Sequence, residues 1–173
     1  MKKFVFDACS LICLTKINVK EKLPMLGKLI VSKSVKGEAT ADLEKFQEAK
    51  IIKTNIENNI LKERDYNIKK IFSITNLGKG EKEVIEICSK SDSIPVTDDQ
   101  KAFNFALNIG LTPKTSEIIL LDLLTEDLIS YIDFKTLFSK LAKIKLLKHD
   151  IIAFFKERAK KIIENKEKEE NEN

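Results

Sequence analysis

The 173-residue chain has little nitrogen or sulfur with which to hold a soft metal: one histidine, His149, and three cysteines, Cys9, Cys13 and Cys88. An odd cysteine count without CxxC spacing indicates neither a disulfide framework nor a zinc cluster, and a reducing cytoplasm is the expected compartment. Cys9 and Cys13, four apart, are expected to be small buried hydrophobes without chemistry. His149 is read as a surface residue. No apolar run is long enough to span a bilayer. Lys2 and Lys3 precede an apolar stretch, as in a signal peptide, but Asp7 interrupts it and no small-residue cleavage site follows. A strong excess of one charge is missing too. The net charge of +4 permits an RNA partner without demanding one. No internal repeat is present.

What is there is the composition of a soluble folded domain, 43% hydrophobic and 34% charged, long enough for one core and a helical appendage. Phe4-Val5-Phe6 reads as a buried strand, and Leu11, Ile12, Cys13, Leu14 and Ile17 as the helix after it. Leu29-Ile30-Val31 is a second strand, and Ser32 or Ser34 can cap a helix from Val35 to about Gln47. Ile51-Ile52 is a weakly signalled strand, and residues 57 to 72 suggest a charged helix with Ile60, Ile68 and Ile71 as apolar points. Asn76 to Gly80 is a turn before a helix carrying Val84, Ile85, Ile87 and Cys88. Ile94-Pro95-Val96 is a strand whose proline favours an edge or entry position. Ala102, Phe103, Phe105, Ala106 and Ile109 face inward on the next helix, closed by Gly110. Alternation of strand and helix predicts an α/β fold, a mostly parallel sheet with helices on both faces. We expect that core over residues 1–115, a helical extension packed on it over 116–163, and a charged, disordered tail over 164–173.

Two apolar runs end directly in acids: FVF in Asp7, and IPVT in Asp98 and Asp99. In a parallel sheet the residues following the strands gather along one edge, and the first turns of the departing helices open onto it. Asp7 and the Asp98–Asp99 pair should therefore converge, with Glu38 and either Glu81 or Glu83 beside them. At an effective dielectric of about 20, each like-charge contact near 4 Å costs roughly 4 kcal/mol. Protonation or a hard divalent cation with oxygen ligands would offset this, and Mg2+ or Mn2+ is the natural occupant. The alternative is that each acid only caps a helix or answers its dipole.

Four segments, DACSLICLTKI, SKSVKGEAT, GKGEKEVIEIC and VTDDQKAFNFALNIG, resemble in order and spacing the motifs of PIN domains, the nuclease fold of VapC-type toxins. The resemblance covers most of the chain. It implies a three-layer α/β/α sandwich and a metal-dependent ribonuclease site on Asp7, Glu38, Glu83 and Asp99, with Glu81 and Asp98 competing for the last two places. The ion or ions would polarise an RNA phosphodiester and activate a water, so no side-chain nucleophile is needed. Thr97 and Thr115 are further candidates for contact with metal waters or phosphate. The family's small hydroxyl residue two after the first acid is Cys9 here, and Ser10 is expected to point elsewhere. A toxin role would bring an antitoxin partner, and a homodimer is compatible. The rival reading is a non-catalytic PIN-fold module that binds RNA or protein.

Between Lys135 and Lys148 stand five lysines, Lys135, Lys140, Lys143, Lys145 and Lys148, and no acid. They form either a phosphate-tracking face or the solvated side of a helix packed through Leu137, Leu141 and Ile144. If they track phosphates, Lys140→Ala with Lys143→Ala should weaken RNA binding and reduce the slope of log affinity against log salt by about 2. An unchanged slope in salt titrations would return the segment to a solvated face.

Overall fold

A computed structural model describes residues 1–65 and 76–171, with side chains through residue 169. The chain divides into two compact units, Met1–Ser116 and Glu117–Asn173. Among the described residues no helix is long and apolar enough to cross a membrane.

The first unit is built on a four-stranded, all-parallel sheet in the order β3-β2-β1-β4. Its strands are β1 (Lys3–Phe6), β2 (Lys28–Ser32), β3 (Leu61–Arg64) and β4 (Ile94–Val96). Phe4, Val5 and Phe6 are almost wholly buried, as expected of a central parallel strand covered on both faces. Phe4 pairs with Leu29 on one side and with Ile94 on the other; Phe6 pairs with Val31 and Val96. The chain builds outward from β1 through β2 to β3, then crosses back to lay β4 on the other side of β1. The strand order therefore reverses between β1 and β4, where open α/β sheets form their crevice. Pro95 lies on the edge strand, where its missing N–H costs no ladder bond.

The helices of this unit are α1 (Ala8–Lys16), α2 (Leu23–Leu26), α3 (Lys33–Ala39), α4 (Gln47–Glu57), α5 (Lys79–Ser89) and α6 (Gln100–Asn108). Three of them start directly from strand ends through side-chain caps. Asp7 accepts from Ser10 N, Ser32 from Val35 N, and Asp99 from Ala102 N. Gly110, at φ +83°, terminates α6 as expected. Ala102 and Ala106 of α6 pack with Ile85 of α5, whereas Ile109, expected to face inward, is 41% exposed.

Two expected elements are replaced. Ile51 and Ile52 lie in α4, with Ile52 completely buried; an isolated pair of β-branched residues does not distinguish a strand from one stripe of a helix. The expected helix over 57–72 instead opens with a turn, in which Asn59 adopts φ +56°, and continues as β3. This strand pairs with β2 on one side and is charged because it forms the sheet's other edge. Ile68 and Ile71 lie outside the described residues. α3 also stops early, at Ala39, where Thr40 Oγ1 and Thr40 N both turn back onto the Lys36 carbonyl.

The second unit contains α7 (Ser116–Thr125, its first residue belonging to the first unit), α8 (Tyr131–Lys145) and α9 (His149–Asn171). A capping box between Ser130 and Asp133 opens α8, and its Phe134 and Phe138 stack with ring centroids 5.4 Å apart. Leu141 is buried but Ile144 is exposed, so the packed side of α8 runs through Phe134, Phe138 and Leu141. Lys145 pairs with Glu117 at 2.5 Å and Lys135 lies over the Tyr131 ring; Lys140, Lys143 and Lys148 are exposed. Residues 164–171, expected to be disordered, continue α9. Lys166 within them donates to the Leu124 carbonyl at 3.1 Å and to Asp127 at 2.6 Å. Residues 172–173 lie outside the described residues.

Gly27 passes the start of β1 so closely that a Cβ there would collide with the Lys2 carbonyl, the acceptor of Lys28 N. Gly27→Ala should therefore cost about 1–3 kcal/mol. A thermal melt should show a Tm several degrees lower; an unshifted Tm would contradict the close approach.

Candidate metal centre

Asp7 stands at the carboxyl end of β1, beside the switch point. Its backbone N–H donates to the Val96 carbonyl at 2.9 Å, tying it to β4. Its side chain is 2% exposed and is held from both sides. Ser10 donates to Oδ1 through its N–H at 2.7 Å and its hydroxyl at 2.5 Å, and Thr97 Oγ1 donates to Oδ2 at 2.5 Å. The expectation that Ser10 points elsewhere is corrected. With Asp7 as the cap of α1, Ser10 is the third helical residue, which faces back over the cap, whereas Cys9 in the second place is exposed. Burial raises the Asp7 pKa above its ordinary value, the bonds from Ser10 and Thr97 oppose the rise, and the charge of Asp98 adds to it.

Glu38 comes from α3, which packs against α5 through Gly80. A Cβ at Gly80 would lie 3.2 and 3.3 Å from the Glu38 carboxylate oxygens and 3.3 Å from Val35 Cγ2. The bare glycine thus admits that carboxylate to the start of α5. Glu38 has a raised pKa, first from partial burial and then from the charges of Glu81, Glu83 and Asp7. Among the described residues nothing donates a hydrogen bond to it. Glu83 is buried and otherwise engaged: Ser34 donates to it through N–H at 3.1 Å and hydroxyl at 2.7 Å, which holds the first turn of α3.

The Asp98–Asp99 pair is divided. Asp98 receives the Ser116 N–H at 2.8 Å and hydroxyl at 2.6 Å, one on each oxygen. Asp99 caps α6 with Oδ1 at 2.8 Å. The repulsion acting on Asp7 comes from Asp98.

Asp7, Glu38, Glu81, Glu83 and Asp98 are thus joined by mutual repulsion across β1, α3, α5 and the end of β4. Such a set of oxygen donors, with raised pKa values at Asp7 and Glu38 and no hydrogen bond to Glu38 among the described residues, fits a hard divalent cation. Beside Glu38 a groove is lined by Ile12, Lys16, Ala39, Phe46 and Ala49. The sequence reading missed Phe46, which is 43% exposed at its rim; aromatic exposure cannot be read from a pattern that only marks the residue as apolar. It also set aside Cys9 and Cys13, whose thiols meet Asp98.

Fold and site define an α/β domain with a carboxylate-lined edge at its switch point. The chain belongs to the PIN domain family, whose family model matches residues 3–161 and whose members are typically metal-dependent nucleases. No curated protein matches it. Among solved structures it is similar to "a domain of a functionally unknown protein from Methanocaldococcus jannaschii DSM 2661", at 18% identity over 66% of this chain and 89% of that one, with a TM-score of 0.43.

Because Asp7 and Glu38 have raised pKa values, the folded chain retains protons that the unfolded chain has already lost. Their contribution to stability is present at acid pH and is lost as pH rises through the folded-state values. In chelator, Asp7→Asn should melt no lower than wild type at neutral pH, and its advantage should shrink as pH falls from about 7 to 4. Paired melting curves across that range check this; an advantage that grows on acidification would contradict it.

Proposed function

We propose that the chain is a Mg2+- or Mn2+-dependent ribonuclease that hydrolyses RNA phosphodiesters. The observation that carries the reading is the convergence on Glu38 of charges from Asp7, Glu81 and Glu83, on two other elements. A protein that needed these acids only as caps gains nothing from placing Glu38 among them.

We assign Asp7, Glu38, Glu81 and Asp99 as ligands. Glu81 is preferred to Glu83, the residue the motif resemblance implies, because its charge acts on Glu38 more strongly than that of Glu83. Asp99 keeps the fourth place that the motif resemblance implies, while Asp98 holds Ser116 and lends its charge to Asp7. When bound, a hard cation supplies Lewis acidity and a water of lowered pKa. The chain's own work is to hold the donors: Ser10 and Thr97 orient Asp7, Ser34 and Glu83 set the start of α3, and Gly80 leaves room for Glu38. Phe46 offers a ring on which a base adjoining the scissile phosphate can stack. Family membership supports a nucleic-acid substrate. A toxin restrained by an antitoxin protein is the role that the motif resemblance implies for such a ribonuclease.

The test is cleavage of mixed single-stranded RNA with Mn2+, with Mg2+ and with chelator, beside single-stranded DNA. Wild type should cleave RNA only with an ion, and Asp7→Asn and Glu38→Gln should each lower the rate at least about 100-fold. Asp98→Asn should do much less than Asp99→Asn. Absence of cleavage with either ion, together with RNA binding that Asp7→Asn leaves untouched, would replace the enzyme with a binding module. Equal cleavage of DNA would overturn the substrate assignment.

A further inference from the structure

The Sγ atoms of Cys9 and Cys13 and a carboxylate oxygen of Asp98 all lie within 4.8 Å of one another. Among the described residues this is the one group of three or more histidine, cysteine or acidic ligand atoms so close together. Each part of the arrangement has a local cause. The four-residue spacing stacks the two thiols on one face of α1. Asp98 arrives from the end of β4, which pairs with the strand that leads into α1. Ser116 then fixes the Asp98 carboxylate through its N–H and hydroxyl.

In a tetrahedral zinc site, Zn–S bonds of about 2.3 Å and Zn–O bonds of about 2.0–2.2 Å set neighbouring ligand atoms roughly 3.5–3.8 Å apart. Separations within 4.8 Å require an adjustment of about 1.3 Å at most, the difference from that ideal spacing. Cys9 is exposed and Cys13 is buried, so the site faces solvent on the Cys9 side. Two thiolates and one carboxylate suit a thiophilic ion and are poor ligands for Mg2+.

We propose that Cys9, Cys13 and Asp98 form a three-ligand site for Zn2+, with a fourth position open to water. As the two Zn–S bonds form, the two thiols release their protons to solvent, and no oxidation state changes. The site differs from the oxygen-donor cluster around Asp7 and Glu38 in the ion it selects, and it does not rest on the ribonuclease reading.

Co2+ is the probe, titrated into the reduced, chelator-treated full chain. Wild type should develop one equivalent of a tetrahedral visible band together with a sulfur-to-cobalt charge-transfer band, and one equivalent of Zn2+ should bleach both. Cys9→Ser, at an exposed position that leaves the fold intact, should remove most of the charge-transfer band and weaken Zn2+ binding at least tenfold. Asp98→Asn should weaken binding while retaining the sulfur band. Cys88→Ser should change neither, since Cys88 is buried apart from this group and burial pushes its thiol well above its ordinary pKa. Absence of a charge-transfer band in wild type, or a band that survives Cys9→Ser, overturns the proposal. Mn2+-dependent RNA cleavage is read separately, so that failure of either site leaves the other standing.

Discussion

Much of this site depends on how one carboxylate is held. Asp7 ends the central strand, caps the helix that follows and bonds across to the end of β4, all within one residue. Burial alone would drive this group to its neutral form. Two hydroxyls and one backbone N–H favour the charged form. The balance leaves a carboxylate with a raised pKa that can still be ionised, which is the condition for a ligand that exchanges a proton for a cation.

The remaining acids divide their work between holding and repelling. Glu83 and Asp98 have both oxygens bound by one serine each, Ser34 and Ser116. Through those bonds they fix the first turns of α3 and α7. Glu38 is held by packing instead, against a glycine that leaves space for it. Glu83 and Asp7, both held by hydrogen bonds, and Glu81 thus repel an acid that accepts no hydrogen bond among the described residues. Capping and metal binding are compatible roles for these acids, since the bonds to serine keep repelling charges in place.

Asp98 is the residue at which the two candidate metal chemistries meet. Its charge acts on Asp7, and its carboxylate lies within 4.8 Å of two thiols of α1. Along α1 itself the hydroxyl and the thiols take different directions. Ser10 faces back over the cap, while Cys9 and Cys13 follow the adjacent stripe of α1.

The alternation of apolar runs and helical stripes determined the α/β class, the parallel direction of the strands and the gathering of acids at their carboxyl ends, because burial and crossover handedness leave few other solutions. Strands β1, β2 and β4 and helices α1, α5 and α6 were legible for this reason: each buried strand is a short apolar run closed by a capping residue. β3 was not legible, since an edge strand paired on one side needs no apolar run, and Ile51-Ile52 fits a helix stripe as well as a strand. Composition could not show that the charged tail continues α9, because Lys166 is secured by a carbonyl and an acid from a distant turn. Which serines hold Glu83 and Asp98, where Ser10 points, and that Asp98 lies near Cys9 and Cys13 were decided only by tertiary structure. Those choices turn on contacts between residues up to 90 positions apart, such as Thr97 with Asp7, and a strand order that reverses beside β1 brings them within a hydrogen bond's reach.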